Sequence, residues 1–307
     1  MAGSRITVQV GERQLTLSNL EKVLYPRHGF TKGEVLDYYT RIAPLLLPHI
    51  RDRAMTFVRF PDGVAGGSFF EKDVSRHAPD WVRTARLTVG GGRGKDPEVL
   101  AYPLINDLPE LVWAANLAAL ELHVHQWTVD ADDERSTPDR LVFDLDPGPG
   151  ATVVDCCRVA ERLHDVLTAD GLTPVAKTSG SKGMQLYAGV VTTDGGETSQ
   201  YAKALAERLA AETPDLVVAR MTKTLRPGKI FIDWSQNNPF KTTVAPYSLR
   251  GRDEPTVSTP VTWDEVRACR HVSHLRFTAD EVLERVDDLG DLFAELDRTR
   301  VPIPAFG

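Results

Sequence analysis

Phe143-Asp144-Leu145-Asp146-Pro147-Gly148 is the stretch on which the reading of this 307-residue chain turns. In a strand, residues i and i+2 face the same way, so Asp144 and Asp146 project together while Phe143 and Leu145 enter a core behind them. Two like charges at that separation repel unless a cation lies between them. A hard divalent ion with oxygen ligands answers the repulsion; a strand end carrying two solvated acids is the plainer alternative. Pro147-Gly148 ends the strand and leaves both carboxylates at an accessible rim. Ile232-Asp233-Trp234 repeats the pattern on a second strand, with Asp233 among bulky apolar neighbours. Three carboxylates from two strands suffice for two metal ions, which can activate an attacking hydroxyl and stabilise a leaving phosphate. Sequence alone does not say whether the two strands are neighbours.

Around these strands the pattern alternates. Leu141–Asp146, Met184–Ala188 and Lys229–Trp234 alternate faces, and Glu121–Thr128 is a further strand candidate. Ser18–Glu21 and Thr31–Glu34 both fit a capping box, the second followed by Val35, Tyr38, Tyr39 and Ile42 at helical spacing. Thr152 can cap a helix that stops at Gly171. Further helices are expected from about Asp107 to Leu120 and from Thr198 to Glu212. Strands interleaved with helices and hairpin-like returns predict a mixed α/β or α+β fold around a central sheet. Gly90 to Lys95 and Ala131 to Asp139 read as loops.

Composition narrows the function. Hydrophobic residues at 42% and charged residues at 26% are those of a soluble globular chain. A net charge of −7 excludes a globally basic nucleic-acid binder, so any such contact must come from a local patch. No stretch approaches the roughly 18 apolar residues of a membrane span, and MAGSRITVQV lacks the apolar run of a secretory signal. Three cysteines without a CxxC pair fit a reducing cytosol.

Candidate phosphate contacts fall elsewhere in the chain. Thr178-Ser179-Gly180-Ser181-Lys182-Gly183 precedes a strand; its small residues let backbone N–H groups approach an anion and Lys182 adds charge. It does not match a Walker A loop, and a polar turn is the alternative. Between Arg220 and Arg252 seven cations stand against the single acid Asp233. A solvated charged face explains that run, but its coincidence with the third candidate ligand favours polyphosphate contact. Lys22 and Lys32 lie beside the capping boxes, where helix N-termini favour anions. Phe69-Phe70 follows glycines and reads as core or as a stacking platform for bases. His123 and His125 share a strand face, without the further ligands a zinc site needs.

LVFDLDPG, TSGSKG, MTKTLRPGKIFIDWSQN and KTTVAPYSLRGR, in this order and spacing, closely resemble the polymerase domain of bacterial ligase D, of the archaeo-eukaryotic primase superfamily. The resemblance runs from LTLSNLEKVLYP to about residue 290. It implies a primase-polymerase fold with central mixed and antiparallel sheets flanked by helices. It also implies one catalytic domain over 1–300, with a DNA 5′-phosphate-binding part at about 1–80 and a core at about 100–290, and no ligase or nuclease domain. The implied activity is template-directed nucleotidyl transfer in non-homologous end joining, gap-filling and ribonucleotide-preferring, by a two-metal mechanism with Mn2+ and/or Mg2+. Asp144, Asp146 and Asp233 would hold the metals. Ser181, Lys182, His123, Gln236, Lys241 and Arg250 would face the NTP or dNTP. Lys22 and Lys32 would grip a 5′-phosphate on gapped or broken DNA, Phe69 and Phe70 would pack on the template, and Arg226 would place template or primer. The Gly90 to Lys95 stretch falls where the family has an end-bridging loop. A DNA ligase and a Ku-type end-binding protein are the implied partners, in the cytoplasm at the nucleoid, with no membrane.

Two departures stand out. The family shows a histidine where this chain has Gln185, whose amide can donate a hydrogen bond but carries no charge; weaker nucleotide binding is expected. Val58 stands where the family has a lysine, although Arg59 is retained, which bears on sugar selection or primer alignment. Two other readings remain open on sequence: a two-metal nuclease or phosphodiesterase, and a DNA-end bridging module with weakened catalysis.

Overall fold

The computed structural model describes residues 5–90 and 96–304, so of the glycine-rich stretch expected as a loop only Gly90 lies within the described residues. β1 (Arg5–Val10) and β2 (Arg13–Ser18) form an antiparallel hairpin, and β3 (Val23–Tyr25) pairs with β4 (Phe30–Thr31). Thr31 then caps α1 (Lys32–Ile50): its side chain accepts from the Glu34 N–H, and Glu34 accepts from the Thr31 N–H at 2.7 Å. Ser18 caps nothing. It ends β2, and Asn19 turns the chain with a φ of +57°. The same four-letter pattern thus marks a helix at Thr31 and a turn at Ser18. Only the first is followed by an apolar stripe that a core can bury.

β5 (Met55–Arg59) and β6 (Phe69–Glu71) pair antiparallel, and β7 (Thr84–Val89) pairs with β8 (Glu98–Pro103). Asp107 caps α2 (Leu108–Asn116), which stops short of Leu120 because Ala118 takes a φ of +57° and turns the chain into β9 (Ala119–Val124). The apolar run crosses that junction unbroken, so periodicity could not locate it. β9 begins and ends earlier than the sequence reading placed it. β15 (Thr243–Val244), β9, β5 and β6 lie side by side as one sheet against α1 and α2. Tyr247, Leu249, Val257 and Val282 join the same apolar core from late in the chain.

The larger sheet has seven strands among the described residues. β13 (Val217–Val218), β14 (Ile230–Asp233), β10 (Arg140–Pro147), β12 (Met184–Val191), β11 (Val175–Thr178) and β16 (Pro260–Val261) follow in that spatial order, and β17 (Arg300–Pro302) adds to β12. β10 runs antiparallel to both β14 and β12. Its alternation works as expected. Phe143 and Leu145, with Met184, Leu186, Ile230 and Ile232, pack on Cys156, Ala160 and Leu163 of α3 (Val153–Ala169) and on Ala202 and Leu205 of α4 (Glu197–Glu212). Burying a side chain such as Phe143 contributes about 2 kcal/mol. The other face of β10 carries the acids. α5 (Trp263–Ala268), α6 (Ala279–Leu289) and α7 (Glu295–Arg298) complete the chain. The fold with central mixed and antiparallel sheets and flanking helices is as expected from the sequence, the larger sheet being mixed through the parallel pairs β13–β14 and β12–β17.

Immediately after the acids the backbone has no room for a side chain. A Cβ on Gly148 would lie 1.9 Å from the Arg226 carbonyl oxygen. Gly148→Ala is therefore expected to cost about 1–3 kcal/mol in urea unfolding, the range for overpacking. Unchanged stability would contradict this close approach.

Candidate active site

Four neighbouring strands each give one residue to a row across the face of the larger sheet that lies opposite its apolar side. Lys177 on β11 is in register with Gln185 on β12, Gln185 with Asp144 on β10, and Asp144 with Asp233 on β14. Asp146 is two residues on, opposite Phe231. The three acids that sequence placed on two separate strands are thus on adjacent strands and one face.

Hydrogen bonds tie the row together. Lys177 Nζ donates to Gln185 Oε1 at 2.6 Å, and Gln185 Nε2 donates to Asp144 Oδ1 at 3.0 Å. Asp233 Oδ1 accepts from the Ser235 N–H at 3.1 Å and from the Ser235 hydroxyl, while Oδ2 accepts from Gln236 Nε2 at 2.9 Å. Lys241 Nζ lies 3.7 Å from Asp233 Oδ2 and donates to the Ser235 hydroxyl. Arg226 stacks 3.7 Å above the centre of the Phe231 ring, beside Asp146.

The electrostatics are those of a site short of positive charge. Burial and then the neighbouring Asp146 push the Asp144 carboxyl well above the ordinary carboxylate range; Gln185 and Lys177 oppose the shift. Burial and Asp233 push Asp146 the same way against Arg226. Among the described residues no three acid, imidazole or thiol groups are already closed into a cation cage. Asp144 is turned to Gln185, and Asp233 to Ser235, Gln236 and Lys241. The donors are all carboxylate oxygens, Asp146 and Asp233 push Asp144 up and Asp233 pushes Asp146 up, and a hard divalent cation relieves that repulsion.

The smaller sheet faces the row from across the cleft. Glu121 and His123 on β9 are bonded at 2.8 Å, and Arg250 Nε lies 3.1 Å from the other Glu121 oxygen. Burial pushes Glu121 up, but His123 and Arg250 outweigh it and hold the carboxyl at about 2. Arg250 also donates to the Ser179 carbonyl. Tyr187 donates to Thr243 Oγ1 at 2.8 Å and Gln126 donates to the same oxygen at 2.7 Å, which links the two sheets. His125 binds the Ala54 carbonyl at 2.8 Å, and burial lowers it to about 4, so it is a neutral core histidine.

Ser179 rather than Ser181 organises the glycine-rich turn, its hydroxyl accepting from the N–H groups of Ser181 and Gly183. Ser181 and Lys182 are exposed and share a cavity with Pro147, Gly148 and Thr152, next to Asp146. Phe69 and Phe70 are exposed, Phe70 to 70%, and Phe70 meets His123 edge-on at 6.4 Å. Arg59 stacks 5.2 Å over Phe69. Lys22 pairs with Asp62 at 2.9 Å, and buried Lys32 donates to the Ser18 carbonyl at 2.7 Å. Burial, Lys22 and Arg59 lower Lys32 to about 8, so the three cations form one group. A track of cations and aromatics therefore runs from Lys22 to His123. A separate cavity of about 670 Å³, lined by Tyr102, Trp127, Arg135 and Phe240, contains none of the acids. Sequence reasoning missed Lys177, Glu121 and Ser235. A lysine inside the buried strand Val175-Ala176-Lys177-Thr178 was the one available signal.

The family model of the LigD primase-polymerase domain matches residues 31–293. The chain belongs to that family. It is 47% identical over 287 residues to the multifunctional non-homologous end joining protein LigD of Mycolicibacterium smegmatis, covering 92% of this chain and 36% of that one. It is 44% identical over 296 residues to the LigD protein of Mycobacterium tuberculosis, covering 93% of this chain and 37% of that one. The chain thus spans little more than a third of these relatives. A solved structure of the polymerase domain from Mycobacterium tuberculosis ligase D in complex with DNA superposes with a TM-score of 0.85 at 42% identity, covering 94% of this chain and 99% of that one. Family membership implies divalent-metal dependence in general, and the oxygen-only trio fits such an ion.

A cation can be held only by ionised carboxylates, so its binding must drive protons off groups whose pKa is raised. Titration calorimetry with Mn2+ in two buffers of different ionisation heat should show proton release, growing as the pH falls below neutral. Heats independent of buffer would contradict the shared repulsion of the trio.

Proposed function

We propose that this chain is a template-directed nucleotidyl transferase that fills gaps and extends broken ends in bacterial non-homologous end joining, with Mn2+ and/or Mg2+ at two positions and a preference for ribonucleotides. The observation that carries this reading is the register of Asp144 opposite Asp233 with Asp146 two residues along. Asp144 and Asp146 would hold both cations and Asp233 one of them. Divalent cations there supply a lowered pKa for a primer 3′-hydroxyl and charge neutralisation for a departing pyrophosphate.

The remaining side chains position the reactants, which is most of what such a transfer requires. Ser181 and Lys182 would meet the triphosphate beside Asp146. Arg250, braced by Glu121 and the Ser179 carbonyl, would face the nucleotide together with His123, and Gln236 and Lys241 would do so from the Asp233 side. Gln185 would add one amide donor. Phe69 and Phe70 would stack on the template, Arg226 would steady primer or template, and Lys22 with Lys32 would hold the 5′-phosphate across the gap. In this reading residues 1–80 anchor the DNA end and residues 100–290 carry the chemistry. A ligase and a Ku-type end-binding protein act on the same DNA.

Primer extension on a gapped, 5′-phosphorylated duplex with Mn2+ tests the proposal. The chain should add nucleotides, and Asp144→Asn should reduce addition to background. Degradation of the duplex without added nucleotide would point to a nuclease, and tight end binding without addition to a bridging module.

Lys32 gives a pH signature. A bound phosphate dianion favours its charged form and raises its pKa from about 8. Affinity for the 5′-phosphorylated end should therefore be full below pH 8 and fall above it, by roughly tenfold per pH unit at most for one proton. Lys32→Arg, which stays charged, should remove the slope while keeping binding. An equal slope with a 5′-hydroxyl duplex would contradict the assignment.

A further inference from the structure

Lys177 has no part in the chemistry above, yet it is fully buried. A buried ammonium needs partners. Its Nζ donates to Gln185 Oε1 and to Ser258 Oγ, each at 2.6 Å, and lies 5.6 Å from the centre of the Tyr187 ring. Among the described residues it makes no ion pair with a carboxylate. The acid next along its row is Asp144, with Gln185 between them.

That spacing has a chemical consequence. A primary amide has one accepting end and one donating end. Gln185 Oε1 receives the Lys177 ammonium, which can only donate, and the Tyr187 hydroxyl oxygen lies 3.1 Å from the same atom. Its Nε2 must then point away from Lys177, and it donates to Asp144 Oδ1. The opposite orientation would set the amide N–H groups against an ammonium and its carbonyl against a carboxylate.

We propose that Lys177 is a positioning residue for metal binding: acting through Gln185, it holds the Asp144 carboxylate in one orientation and leaves the rest of its lone pairs to a cation. A lysine in direct contact with Asp144 would occupy a ligand oxygen. With the amide as spacer, the positive charge stays close to the acids and one N–H bond is all that Asp144 gives up. Gln185 is then the part that makes a buried lysine useful at this site, which a neutral apolar residue at 185 could not do.

This role rests on the polymerase reading, and the test separates the two. Lys177→Met, Gln185→Leu and the double variant are compared with the unaltered chain in primer extension and, without DNA or nucleotide, in Mn2+ binding followed by electron paramagnetic resonance. Each single change should lower kcat roughly 10- to 100-fold, the size of one lost hydrogen bond to a charged group. For Lys177→Met the nucleotide KM should move far less than kcat, and Mn2+ binding should weaken. The double variant should be no worse than the poorer single, because both remove one linkage. Lys177→Gln, which keeps a donor for Oε1, should recover part of the loss, and it carries the comparison if Lys177→Met does not fold. Losses that multiply in the double variant would overturn the proposal. So would a Lys177→Met protein that melts earlier yet keeps wild-type kcat and Mn2+ affinity. If the unaltered chain extends no primer while Lys177→Met still weakens Mn2+ binding, the polymerase reading falls and the positioning role stands.

Discussion

The pairing of β10 with β14 is the constraint on which the site depends. Antiparallel register fixes which residues share a face, and a slip of one residue would turn every side chain over. Here Phe143 and Leu145 on one strand and Ile230 and Ile232 on the other are committed to the helical side of the sheet. That commitment holds Asp144, Asp146 and Asp233 on the opposite side, against their mutual repulsion. Each apolar residue buried beneath contributes of order 2 kcal/mol. Together they hold a charge cluster that would otherwise separate in water, and the strain emerges as raised carboxyl pKa values on Asp144 and Asp146.

The rest of the cleft answers that negative charge by degrees. Lys177 counters it through an amide, Lys241 from 3.7 Å, and Arg226 from its perch on Phe231. Among the described residues only Lys241 of the three comes within ion-pair range of an acid, Asp233. Arg250, by contrast, is paired with Glu121, and Lys22 with Asp62. Loosely held charges of this kind suit the proposed cations and polyphosphate, whereas Arg53 takes both oxygens of Asp139 at 2.8 and 2.7 Å.

Much of this was legible from residue order. Period-two alternation placed Asp144 and Asp146 on one face, a capping box followed by an apolar stripe located α1, and a capping Thr152 with a stop at Gly171 located α3. The capping pattern misled at Ser18, where the local signal had no buried face to support it. The α2–β9 junction was hidden because both elements are buried and apolar on both sides of Ala118. Lys177 and Glu121 were passed over for a related reason. Their roles exist only between strands or between sheets, and strand pairing is a long-range property that no local window contains. The motif resemblance supplied residue roles that geometry can now be set beside, and it pointed to Ser181 in a turn whose hydrogen bonds centre on Ser179.

The most direct test of the central claim is anomalous scattering from a crystal soaked with manganese and a nucleotide triphosphate. The account predicts manganese peaks between β10 and β14, with Asp144 and Asp146 oxygens as ligands to the metals and Asp233 as ligand to at least one. Manganese bound elsewhere, with Asp144 still on Gln185 and Asp233 still on Ser235 and Gln236, would contradict it.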